Sequence, residues 1–273
     1  MHLASLHIHP VKSLRGLSVT SAEVDALGAV GDRRFLVVDP DGNFLTQRTV
    51  SRMAQVDALI DETRLTLCAS GRADLQVRRQ PDPGAPLFTV RVWNDPGLRA
   101  EDCGLHAREW LSAVLQTPCR LVRIGDDFIR PVKPGAARPG DVVSFADGYP
   151  FLVTSEASVG DLNQRIGDNG GDPVPMGRFR ANLVVSGCEA YAEDTWKRIS
   201  IGDVEFRSTG PCARCIITTT DQLTGERGKE PLRTLAGYRR DPGEPSQVLF
   251  GQNLVNVSKA GRIRVGDPVR VIE

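Results

Sequence analysis

An excess of charge of either sign is missing from this chain. Across 273 residues, 34 lysines and arginines face 34 aspartates and glutamates, and the longest like-charge blocks are pairs such as Arg33-Arg34, Arg78-Arg79 and Arg239-Arg240. Binding a polyanion or an anionic bilayer calls for a basic surplus. Nucleic acid and membrane are therefore not expected partners, and any anion held here is small and locally bound. Long hydrophobic runs are missing too: FLVV, NLVV and CII are the longest, far below the roughly 20 residues of a spanning helix. The opening MHLASLHIHPVKSL has no long apolar stretch or small-residue cleavage site of a signal peptide, which points to the cytoplasm. Aromatic residues are scarce at 5%, but 40% apolar and 25% charged residues are ordinary for a globular domain with a sizeable core. The six cysteines (68, 103, 119, 188, 212 and 215) lack a secretory context and are expected as reduced thiols.

Alternation of apolar and polar residues predicts a β-rich first half. Strands are expected at residues 3 to 9, Leu17 to Val24, Arg34 to Asp39, Leu65 to Cys68, Leu75 to Arg78 and Phe88 to Trp93. Turn formers at Gln80 to Gly84 and Asn94 to Gly97 separate the later ones. From Gly104 to Gln116 the period becomes 3.6, with Leu105, Trp110, Leu111, Val114 and Leu115 on one face. A second helix is signalled by Ser155 to Ser158, with Ser158 and Asp161 at capping-box spacing, and a third begins at Pro231. The Gly/Pro-rich stretch 125 to 150 reads as a loop between two β-rich parts, dividing the chain into 1–124 and 125–273. Gly140-Asp141, Gly202-Asp203 and Gly266-Asp267 read as one tight turn used three times.

Three clusters can carry chemistry. Pro211-Cys212-Ala213-Arg214-Cys215, taken to lead into a strand, allows a dithiol switch, half of a zinc site or a single metal-ligating thiolate, against a plain structural pair at a turn. No second C-x-x-C exists to complete a zinc site, and the four histidines (2, 7, 9, 106) are remote in sequence. Lys12, Ser13 and Arg15, with Arg33 further on, offer a compact charge, a hydroxyl and a bidentate fork for a phosphate, against a solvated strand end. Arg180 and Asn182, two apart on the way into an apolar strand, share a face and reach one ligand, against turn capping. His9 and His106 read as structural, and Trp93, Trp110 and Trp196 as core.

Taken in order, HPVKS with GDRRF, SEASVGDLN, FRANLVVSGCEAYAEDTW, PCARCIITTTD, KEPLRTL and IRVGDPVRV resemble a MOSC protein with its N-terminal β-barrel domain. More narrowly the chain is similar to the mitochondrial amidoxime-reducing components and their bacterial relatives, from about residue 3 to the C-terminus. The resemblance implies a mixed, mainly β fold with a few helices: an N-terminal β-barrel-like domain plus a MOSC β-barrel domain. It implies a molybdenum cofactor (molybdenum bound to molybdopterin) with Cys215 as the protein's metal ligand and catalytic thiolate. Lys12, Ser13 and Arg33 then match the phosphate-holding residues, and Arg180, Asn182, the Ala213 backbone and Arg214 the pterin-lining ones. Asp147-Gly148-Tyr149 falls in another cofactor-lining stretch, while Cys212 and Cys188 occupy family positions without binding metal. The implied activity is reduction of N-hydroxylated compounds (amidoximes, hydroxylamines, N-hydroxy bases) to amines or amidines. The chain stops at Glu273 without a plant-type iron–sulfur run, so a separate flavoprotein, haem or iron–sulfur carrier is expected as electron donor. The alternative is a sulfur-carrier or molybdenum-cofactor-binding module without reductase activity.

Overall fold

The computed structural model describes residues 1–80, 84–133 and 137–273. The middle of the turn expected at 80–84, and part of the Gly/Pro-rich stretch at 134–136, lie outside the described residues. The fold is mainly β with few helices, as expected. Its largest sheet has eight strands in the order Val269–Val271, Arg198–Ile201, Val204–Arg214, Val248–Asn256, Phe151–Ser155, Leu183–Ser186, His2–Ile8 and Leu17–Val19. Phe151–Ser155 and Leu183–Ser186 run parallel, with the helix Glu156–Asp168 between them in sequence, and the other neighbours are antiparallel. The N-terminal strand therefore completes a sheet built mostly from residues beyond 150. A three-stranded sheet does the same, pairing Gly261–Arg264 with Ser21–Asp25 and then Gly28–Ala29.

The rest of the N-terminal half forms two smaller sheets: Phe35–Val38, Arg120–Arg123, Asp95–Asp102 and Leu87–Val92, and Asp57–Ile60, Arg64–Cys68 and Leu75–Arg78. Alternating burial along these strands, as in Leu65 and Leu67 or Leu75 and Val77, sends side chains into a shared core with Phe35, Met53 and Leu111. Helix α1 (Leu105–Leu115) caps that core with Ala107, Trp110, Leu111 and Leu115. Leu105, expected on the same face, is 65% exposed because it opens the helix before the first full turn reaches the core.

The cap of helix α2 (Glu156–Asp168) lies three residues before the expected one. Ser155 is the N-cap, its Oγ accepting from the Ser158 amide at 3.1 Å. Ser158 lies in the first turn, where its hydroxyl donates to Glu193 at 2.7 Å. Sequence spacing favoured Ser158 because Glu193, the carboxylate that claims it, is 35 positions away. Helix α3 (Leu232–Leu235) is one turn beginning after Pro231, as expected. All three Gly-Asp turns place glycine at positive φ (84°, 56° and 93° at Gly140, Gly202 and Gly266), a conformation a Cβ disfavours.

Candidate functional site

Pro211, near the end of the long Val204–Arg214 strand, disturbs the pairing with Val248–Asn256: Pro211 faces Gln252, yet Ala213 already faces Leu249. Proline has no N–H for the ladder, so such an irregularity is where it fits. Cys212 falls within it. The strand ends at Arg214, and Cys215 is the extended residue that caps a 3₁₀ turn, Ile216–Thr219. This corrects the sequence reading, in which a strand followed the cysteines: the strand precedes them. The Thr218 amide and hydroxyl both donate to the Cys215 carbonyl, at 3.0 and 2.9 Å, which fixes the backbone carrying the second thiol. All six cysteines are free thiols in the structure.

Cys215 opens into a cleft lined by Lys12, Ser13, Arg33, Arg48, Asp147, Phe179, Arg180, Asn182, Cys212, Ala213, Arg214 and Thr218, among others. Lys12, Ser13, Arg33, Arg180, Asn182, Ala213, Arg214 and Cys215 are thus brought to one place, from four separate segments, whereas Arg15, grouped with Lys12 in the sequence, turns away to pair with Asp57 at 2.8 Å. Lys12 is not the surface charge its composition allowed for: it is buried, 5% exposed, and ion-paired with Asp147. Burial pulls its pKa down to about 8, with Arg130 and Arg33 adding to the effect and Asp147 opposing it.

Arg180 and Asn182 reach the cleft by a different route from the one expected. Arg180 ends a 3₁₀ turn, Met176–Phe179, in the left-handed region at φ 53°, and the strand begins only at Leu183. The two are therefore not on one strand face. Arg180 donates to the Leu14 carbonyl at 2.8 Å. Burial, then the neighbouring Arg33, lower its pKa to about 9. Asn182 is fully buried and committed to protein: its Oδ1 accepts from Arg33 at 2.9 Å and from the Leu152 amide at 3.2 Å, and its Nδ2 donates to the His7 carbonyl at 3.1 Å. It orients Arg33 and does not itself reach out.

Arg33 also donates to Asp32 at 2.6 Å. Burial would raise the Asp32 carboxyl, but Arg33 and His9 outweigh it and hold the group at about 2. His9 is buried behind it, its pKa well below the ordinary value through burial and then Arg180 and Arg33. It is structural, as expected, and His106 is exposed. Ser13, Arg33 and Arg180 all have positive φ (68°, 48° and 53°). Left-handed non-glycine residues are uncommon and costly, and they gather at functional sites.

Arg214 donates to the Phe179 carbonyl at 2.6 Å and to Cys212 Sγ at 3.0 Å, while its buried Nε has no partner among the described residues. Five cationic side chains line the cleft against one carboxylate, Asp147. Burial would raise Asp147, yet Lys12, Arg48 and the Trp93 indole hold it well below the usual carboxylate range. A multiply charged anion fits this imbalance and the orphaned Arg214 donor. Among the described residues no three metal-binding side chains converge, so a metal on Cys215 needs further donors from another molecule, as a dithiolene supplies.

Two residues escaped the sequence reading. Arg48 lines the cleft from a segment with no motif. Trp93, expected in the core, is 39% exposed with φ 56° at a hairpin tip, unlike the buried Trp110 and Trp196. The hairpin turn forces its backbone out, and the adjacent Asn94-Asp95-Pro96-Gly97 sequence was the available signal.

The MOSC domain model matches residues 130–270, and the MOSC N-terminal beta barrel domain model residues 1–118. The chain is 39% identical over 285 residues to mitochondrial amidoxime-reducing component 1 of Mus musculus and 39% over 287 residues to that of Homo sapiens, covering 99% of this chain and 82% of each relative. It is 36% identical to mitochondrial amidoxime reducing component 2 of Bos taurus, over 98% of this chain and 82% of the relative. With both domains matched and full-length relatives at this identity, the chain belongs to the MOSC family, among proteins similar to the mitochondrial amidoxime-reducing components.

Proposed function

We propose that this chain is a molybdenum-cofactor-dependent oxidoreductase that reduces N-hydroxylated compounds to amines or amidines. The observation that carries the reading is the convergence of Cys215 with five cationic side chains around a single carboxylate in one cleft. The relatives' names, amidoxime-reducing components, supply the reaction class. Lys12, Ser13 and Arg33 hold the cofactor phosphate, and Arg180, Arg214 and the Ala213 backbone line the pterin, with Asn182 bracing Arg33. Cys215 supplies a soft thiolate. When bound, the metal provides oxygen acceptance from the N–O bond, chemistry outside the reach of side chains.

The net change takes two electrons and two protons per N–OH and yields water. A separate carrier protein delivers the electrons, and the open side of the cleft admits the substrate. The relatives are named mitochondrial, whereas the sequence reading placed this chain in the cytoplasm. Among the described residues no helix is long and apolar enough to cross a membrane.

The test is elemental analysis of protein from a host that makes the cofactor, followed by reduction of an amidoxime with flavin, haem and iron–sulfur donors. Near-stoichiometric molybdenum with turnover is expected. Molybdenum without turnover would turn the reading to a binding module, and persulfide on a cysteine would turn it to a sulfur carrier.

A further inference from the structure

At one end of the cleft, Asp147 stands where an anion would. Its Oδ1 takes the Lys12 ammonium and the Trp93 indole N–H, the latter at 3.2 Å, and its Oδ2 faces Arg48 at 3.7 Å. The Arg48 guanidinium lies over the Trp93 ring, 4.6 Å from its centroid. On the same ring packs Phe44, 5.1 Å between centroids, and Phe44 in turn meets Lys12 at 5.5 Å. The stack fixes a planar fork, whose entropy cost of ordering is then met before any ligand arrives. The left-handed backbone of Trp93 holds the indole in this place.

Asp147 is anchored through one of its two oxygens. Its side chain is 57% exposed, and the Arg48 contact is longer than a hydrogen bond. Its backbone, by contrast, is fixed: Arg130, 2% exposed, donates to the carbonyls of Ser144, Ala146 and Asp147 at 3.0, 2.5 and 3.1 Å. The carboxylate can swing out by side-chain rotation while the loop stays in place. A phosphate carries more charge and more acceptor oxygens than a carboxylate and outcompetes it for the same three donors.

We infer that Arg48, braced by Trp93, is a further phosphate-binding residue of the cleft, and that Asp147 is the internal anion which a phosphate displaces. The identity of the natural phosphate rests on the cofactor reading above, while the site itself is tested with inorganic pyrophosphate alone. Titration calorimetry on wild type and variants, each checked by circular dichroism, gives the comparison. Arg48→Gln weakens pyrophosphate about tenfold, Arg48→Lys falls between, and Asp147→Asn strengthens it severalfold because the competing anion is gone. Binding also changes tryptophan fluorescence, and that change disappears in Trp93→Phe. Unaltered affinity in Arg48→Gln, or weaker binding in Asp147→Asn, overturns the inference. Stoichiometric molybdenum beside an indifferent Arg48→Gln sinks this inference alone, whereas the expected pyrophosphate pattern in a protein that never acquires molybdenum sinks the cofactor proposal alone.

Discussion

Two buried polar clusters of this molecule treat charge in opposite ways. Around Glu193, fully buried at the N-terminus of α2, one carboxylate receives the Ser155 amide and hydroxyl at 3.2 and 3.0 Å, the Ser158 hydroxyl at 2.7 Å and Thr154 at 3.4 Å. The helix N-terminus adds a favourable field. In the cleft, five cations line a wall with one carboxylate, Asp147, while Asp32 behind it pairs with Arg33, and Arg214 keeps an unmatched donor. The first cluster is complete without a ligand and serves the fold. The second leaves an electrostatic mismatch and three strained backbone positions, which a folding role does not explain.

Substitutions separate the two clusters. Cys215→Ala should remove bound molybdenum and activity entirely while circular dichroism and melting stay near wild type; full activity in this variant ends the site assignment. Replacing Lys12 and Arg33 together by alanine should reduce cofactor retention through gel filtration by about tenfold or more, with a smaller effect on melting. Glu193→Ala should do the reverse. Leaving its buried donors unmatched costs about 3 kcal/mol, a fall of roughly 6 to 12 °C in Tm for a chain of this size, while the molybdenum content of the folded fraction is unchanged. A loss of molybdenum equal to the loss of folded protein in all three variants would erase the distinction.

A pH series sharpens the comparison. Lys12 titrates at about 8 in the folded chain against an ordinary value of 10.5. The unfolded chain therefore holds more protons between these values, and the lysine's contribution to stability rises with pH across that window. Phosphate binding runs the other way, weakening as pH climbs through about 8 and the ammonium is lost. Pyrophosphate titrations at pH 7 and 9 with parallel urea melts should show the opposite slopes, and Lys12→Arg should flatten both. The smallest effect is expected of Cys212→Ala: Cys212 accepts one hydrogen bond from Arg214, so the variant should keep its metal and lose only part of its rate.

Much of the fold was legible because its signals are local. Alternation marked Leu65 to Cys68 and Leu75 to Arg78, a period of 3.6 marked α1, and glycine marked the three Gly-Asp turns, each depending only on residues adjacent in the chain. The start of α2 was misplaced for the opposite reason, since a carboxylate 35 positions away decides which serine caps it. The candidate site was legible as a set of motifs in order, and Arg33, Arg180, Arg214 and the cysteine pair announced themselves by residue type, whereas Arg48 did not.

By itself the sequence determined the β-rich fold with few helices and named Lys12, Ser13, Arg33, Arg180, Asn182, Ala213, Arg214 and Cys215, which meet in the cleft. Only the tertiary structure decided that Lys12 is buried and not solvated, that Asn182 supports Arg33, that Arg180 turns into the cleft through a left-handed residue, and that Arg48, Trp93 and Asp147 come together. Burial, backbone strain and charge balance are sums over neighbours drawn from distant parts of the chain, so no window of the sequence contains them.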